Sequence, residues 1–74
     1  MKPLSTFVSD CKRKKAVMRI SNEILVVEFF LDGCRVGEIE YPNNSYPYVR
    51  DAADNWVTGI MTEDTVKKYS QAAA

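Results

Sequence analysis

The run Ile24 to Leu31, ILVVEFFL, followed directly by Asp32-Gly33, constrains this chain more than any other feature. Seven of its eight residues are apolar, and β-branched and aromatic side chains dominate, the composition of a strand. Asp-Gly supplies the positive φ that a tight two-residue hairpin turn requires. A strand that is apolar on both sides reads as buried on both sides. Within 74 residues a single small helical layer covers only one face of a sheet, so the other face is expected to meet a second copy, a partner or a ligand.

Length sets the scale of the problem. A domain near this size buries only about 60% of its unfolded surface and is marginal alone. The apolar content, 46%, is that of a globular chain. No apolar run approaches the length of roughly 20 residues that spans a bilayer. Met1-Lys2 leads into Ser, Thr and Asp without an apolar segment. The expected compartment is therefore the cytoplasm, with no membrane contact.

The first strand is expected near residues 15–21, where Ala16, Met18 and Ile20 alternate with Lys15, Val17, Arg19 and Ser21. Ser21-Asn22-Glu23 reads as a turn. A second strand follows from Ile24 to Leu31 and a third from Cys34 to Tyr41, ended by Pro42-Asn43-Asn44-Ser45. Two hairpin registers fit. A two-residue loop pairs Leu31 with Cys34 and puts Ile39 and Tyr41 beside Ile24, Val26 and Phe30. A three-residue, bulged loop moves Ile39 and Tyr41 to the other face and brings Cys34, Val36, Glu38 and Glu40 to this one.

Val49, Ala52, Ala53, Trp56, Val57 and Ile60 recur at helical spacing, with Ser45 as the N-cap and Pro47 in the first turn, so residues 45–61 form the main helix. Thr62 caps a helical tail over 62–74, docked by Val66 and Tyr69. Residues 1–11 carry Leu4, Phe7, Val8 and Cys11 at the stripe of a short helix, although Ser5, Thr6, Val8 and Ser9 are poor helix formers and Thr-Phe-Val also suits an edge strand. The helical reading is the favoured one. The fold class is thus α+β: one domain with an N-terminal segment and basic stretch (1–14), a three-stranded antiparallel meander (15–41), one long helix across one face and the C-terminal tail.

Function is bounded mainly by exclusion. The chain has no His, which removes the commonest general base and metal ligand together with Ser-His-Asp and Cys-His catalysis. Its two cysteines, Cys11 and Cys34, are too few for a zinc site and read as reduced thiols. Three scattered glycines make no phosphate-binding loop. Glu38 and Glu40 share a strand face and read as a solvated strand end. No enzyme activity, metal or cofactor is expected.

Two constellations remain. The apolar one joins Ile24, Val26, Phe30 and Tyr41 on the open sheet face, with Tyr46 and Tyr48 nearby, as a protein-contact surface. The basic one is Lys12, Arg13, Lys14 and Lys15 with Arg19. Residues 1–37 hold seven basic and four acidic groups against three and six in 38–74, so the halves carry +3 and −3 within a net charge of zero. The order helix–strand–strand–strand–helix resembles that of the double-stranded RNA-binding domain. That family bears a Lys-rich N terminus on its last helix. Here Ser45-Tyr46-Pro47-Tyr48-Val49-Arg50-Asp51 holds one Arg and one Asp, so its function is not carried over. The leading expectation is a small non-enzymatic protein-binding regulator, adaptor or inhibitor acting through the open sheet face, with another protein or a second copy as the partner and a homodimer as the expected assembly. The alternative is a nucleic-acid-binding protein using the basic patch.

Overall fold

A computed structural model describes residues 4–72, with side chains through Lys68, and its sheet has four strands where the sequence suggested three. β1 (Ser5–Val8), β2 (Lys14–Ser21), β3 (Ile24–Leu31) and β4 (Cys34–Tyr41) form an antiparallel meander in chain order, followed by helices α1 (Tyr46–Thr58) and α2 (Glu63–Ala72). The α+β class and the meander stand. The N-terminal helix does not. Ser5 to Val8 pair with Met18 to Lys15, and the Leu4 N–H donates to the Met18 carbonyl at 2.7 Å. Weak helix propensity left the segment free to take the exposed edge of β2, whose unpaired backbone groups need partners. Of the supposed helical stripe only Phe7 packs on the core, while Leu4, Val8 and Cys11 are exposed. The order of the RNA-binding domain is therefore not the order of this chain.

Two hairpins turn through pairs of left-handed residues, Asn22-Glu23 (φ 52° and 66°) and Asp32-Gly33 (φ 52° and 83°). Primed turns require this conformation, and their twist matches that of the strands. Glycine suits it at position 33; at position 23 a glutamate accepts a strained one. Glu23→Gly is therefore expected to stabilise the protein by about 0.5–1 kcal/mol after allowing for the greater unfolded-state entropy of glycine. Thermal unfolding measures it, and an unchanged or lower midpoint would refute the strain.

Neither expected hairpin register is the observed one. The loop has two residues and Leu31 pairs with Cys34, but the ladder then shifts: Phe30 faces Arg35 while Phe29 faces Gly37. Val36 is the extra residue of a β-bulge inside β4. Beyond it Ile39 and Tyr41 lie opposite Val27 and Leu25 on the helix side, and Glu38 and Glu40 lie opposite Glu28 and Val26 on the open side.

Both helices cover one face. α1 lies over β1, β2 and β3, and α2 packs on β4. The core between the layers joins Ala16, Met18, Val27, Phe29 and Ile39 of the sheet to Val49, Ala53 and Trp56 of α1 and Val66 of α2. Small Ala52 and Ala53 let α1 approach closely, and the Trp56 ring meets Phe29 edge-on at 5.4 Å, a favoured geometry for an aromatic pair. α1 ends earlier than the apolar spacing suggested. Gly59 is left-handed (φ 91°) and donates its N–H to the Trp56 carbonyl. This helix-closing geometry leaves Ile60 outside, 74% exposed. Ser45 is the N-cap residue but makes no side-chain capping bond. The tail is a packed helix, anchored by fully buried Val66 and carrying an exposed Glu63–Lys67 ion pair of 3.0 Å within its own first turns; the side chain of Tyr69 lies outside the described residues. Among the described residues no helix is long and apolar enough to cross a membrane.

Candidate functional site

The open face is built by alternate residues of four strands: Thr6 and Val8, then Lys15, Val17, Arg19 and Ser21, then Ile24, Val26, Glu28 and Phe30, then Arg35, Glu38 and Glu40. At its centre the bulge sets Glu28 directly opposite Glu38, a like-charge cross-strand pair that is unfavourable by itself. Two arginines compensate it from opposite sides. Arg19 approaches Glu28 at 3.4 Å and Glu38 at 2.6 Å; Arg35 approaches Glu28 at 3.0 Å and Glu38 at 3.1 Å. The result is a closed lattice of two cations and two anions. The hydrogen bond from Arg19 holds the Glu38 carboxyl below its usual pKa, and the same contact raises that of Arg19. The Arg19 Nε is buried and, although 3.4 Å from a Glu28 carboxylate oxygen, makes no hydrogen bond.

Val26, in register with Arg19 and Glu40, is only 1% exposed although it lies on the open face. Long charged side chains cover apolar surface with their methylene stems while their heads stay wet. The face is therefore less oily than its sequence suggests: Ile24 and Phe30 are half-buried, and the Phe30 ring is covered by the Lys15 ammonium at 4.7 Å.

The expected apolar constellation is divided. Ile24, Val26 and Phe30 share the open face, but Tyr41 does not join them. The bulge turns Tyr41 to the helix side, where its ring meets Tyr48 at 6.2 Å with a 66° interplanar angle. The basic constellation is divided as well. Lys12 occupies an exposed left-handed turn position. Arg13 forms a two-bond pair with Asp32, at 3.0 and 3.2 Å, that lowers the pKa of the Asp32 carboxyl. Lys14 lies on the helix side with its ammonium 4.5 Å from the Trp56 ring, whereas Lys15 and Arg19 belong to the open face. In the same β1–β2 turn, the Ser9 hydroxyl and the Arg13 backbone N–H hold the exposed Cys11 thiol below its ordinary pKa; both cysteines are free.

A second concave surface lies where β4, α1 and the α1–α2 connection meet, a cleft of about 510 Å³. Ile39 and Ala52 are its buried floor, Tyr41, Asn55 and Met61 its half-buried walls, and Asn44, Tyr48 and Asp51 part of its exposed rim. The tyrosine cluster was visible in the sequence; the contribution of Asp51 and Asn55 was not, because helical periodicity assigns them only to the polar side of α1. Glu28, Arg35 and Glu38 were missed for another reason. Their convergence depends on the bulge, which no local signal marks. Among the described residues no three Cys, Asp or Glu side chains gather as a metal-binding group.

No family model matches the chain, and neither a curated protein nor a solved structure matches it.

Proposed function

We propose that this chain is a small non-enzymatic protein-binding regulator, adaptor or inhibitor that acts through the open face of its sheet. The supporting observation is the one-sided layering: α1 and α2 both lie on the helix side, so Ile24, Phe30 and the Arg19–Glu28–Arg35–Glu38 lattice stand uncovered. Charged residues held rigidly by one another, flanked by an aromatic ring and aliphatic side chains, form a polar surface with apolar anchors, the anatomy of a non-obligate interface. A second copy of the chain is one partner that such a face accommodates, since its charges balance.

Phe30 is the anchor to test. A photo-crosslinking residue at position 30 is expected to capture a discrete partner, or a second copy, in the native host, whereas the same residue at Arg50 on α1 captures none. Phe30→Asp is expected to abolish that association, and light scattering reads any loss of a dimer directly. Because Phe30 is half-buried and lies outside the core, circular dichroism of the variant is expected to stay native. Association that survives Phe30→Asp would refute the reading. Lys15 over Phe30 on the same face supports the alternative, nucleic-acid binding. That alternative predicts oligonucleotide affinity that falls steeply with salt and is lost when Lys12, Arg13, Lys14 and Lys15 become Ala.

A further inference from the structure

The cleft between β4 and α1 lies on the helix side of the sheet, away from the proposed interface, and its chemistry is different. A volume of about 510 Å³ is enough for a single side chain or small ligand with room to spare. Its depth is apolar, Ile39 and Ala52 with Met61, which suits a run of methylenes. Its walls include the steeply inclined rings of Tyr41 and Tyr48. Its rim carries the carboxylate of Asp51, and among the described residues no Lys or Arg lines it. No ion pair among the described residues engages Asp51, in contrast to Glu28 and Glu38 on the open face.

We infer that this cleft receives an arginine side chain of a partner polypeptide. An anion would meet the Asp51 carboxylate with no cation to offset it. A wholly apolar group would leave the polar rim without partners on desolvation. A cation on an apolar stem satisfies each layer in turn: methylenes on Ile39, Ala52 and Met61, positive charge against the tyrosine rings, and N–H donors toward Asp51 and the amide oxygens of Asn44 and Asn55. A guanidinium fits this set better than an ammonium. It is planar, stacks on aromatic rings and offers its donors in a rigid fork, where an ammonium is a compact and strongly hydrated point charge. The chain already uses cation–ring contacts on both sides of its sheet, Lys14 on Trp56 and Lys15 on Phe30.

The test is a titration of the full, isotopically labelled chain with N-acetyl-arginine amide, followed by amide chemical shifts, with the neutral isostere N-acetyl-citrulline amide as the reference. Shifts are expected at Tyr41, Tyr48, Asp51 and Asn55, with citrulline binding at least about fivefold more weakly because it lacks the charge. Asp51→Asn and Tyr48→Ala change exposed residues and keep the fold; each is expected to weaken binding about threefold to tenfold. Equal shifts from citrulline, shifts spread over the open face, indifference to both substitutions or no shift at all would each overturn the assignment. None of these outcomes bears on Phe30, so the cleft and the open-face interface stand or fall separately.

Discussion

Trp56→Ala is expected to cost about 3–5 kcal/mol, the range for removing a large aromatic from a packed core. For a domain of this size total stability is on the order of 4–11 kcal/mol, so the variant is expected to be largely unfolded under mild heating. Trp56 is fully buried, touches Phe29 edge-on and donates its indole N–H to two carbonyls, those of Lys15 at 3.1 Å and Phe30 at 3.2 Å. It thereby joins α1 to β2 and β3 by a polar contact as well as by packing. Trp56→Phe separates the two contributions: it keeps most of the apolar volume, loses the donor, and is expected to cost about 1–2 kcal/mol. Circular dichroism during urea unfolding measures both, since the only tryptophan is gone. A loss below about 1 kcal/mol for the Ala variant would mean that the helix does not depend on this anchor.

Arg19→Met is expected to cost about 2 kcal/mol at neutral pH, between the value of an exposed pair and that of a buried one. The substitution keeps a covering stem but leaves Glu28 and Glu38 facing each other with only Arg35 to offset them. The pH dependence distinguishes this from lost packing. In the native protein the folded pKa of Glu38 is below its ordinary 4.5, so its contribution is complete above that value and is lost as pH falls through the folded pKa. Without Arg19 the apposed carboxylates repel, and protonation relieves them. The gap between the two proteins is therefore expected to narrow as pH falls below about 4.5. Urea unfolding at neutral and acid pH reads it, and a constant gap would assign the whole effect to packing.

These two residues mark how far the sequence could be read. Trp56 was legible because Val49, Ala52 and Ala53 share its helical stripe, and helical periodicity needs no tertiary information. The β3–β4 hairpin was legible from Asp32-Gly33 for the same reason: turn chemistry is local. Arg19 was legible as a charge on a strand but not as a member of a lattice, because its partners are brought to it by a bulge two strands away. β1 failed through an accident of spacing, since Leu4, Phe7, Val8 and Cys11 imitate a helix while the decision lies with the open edge of β2. The two-sided burial of β3 was legible from its apolar run and holds at Val26, which is 1% exposed on the open face.

The bulge has a consequence for length. From Cys34 to Tyr41 the chain supplies eight residues to a ladder that pairs seven, because Val36 has no partner strand residue. β4 therefore holds one residue of slack. Loss of a single residue between Arg35 and Gly37 would draw that slack in, regularise the ladder and leave Glu38 opposite Glu28 and Ile39 opposite Val27. The same loss anywhere in β3, which has no reserve, would exchange the helix side for the open side along the rest of the strand. Two adjacent strands of equal length thus differ sharply in the insertions and deletions that a lineage of such chains can accumulate.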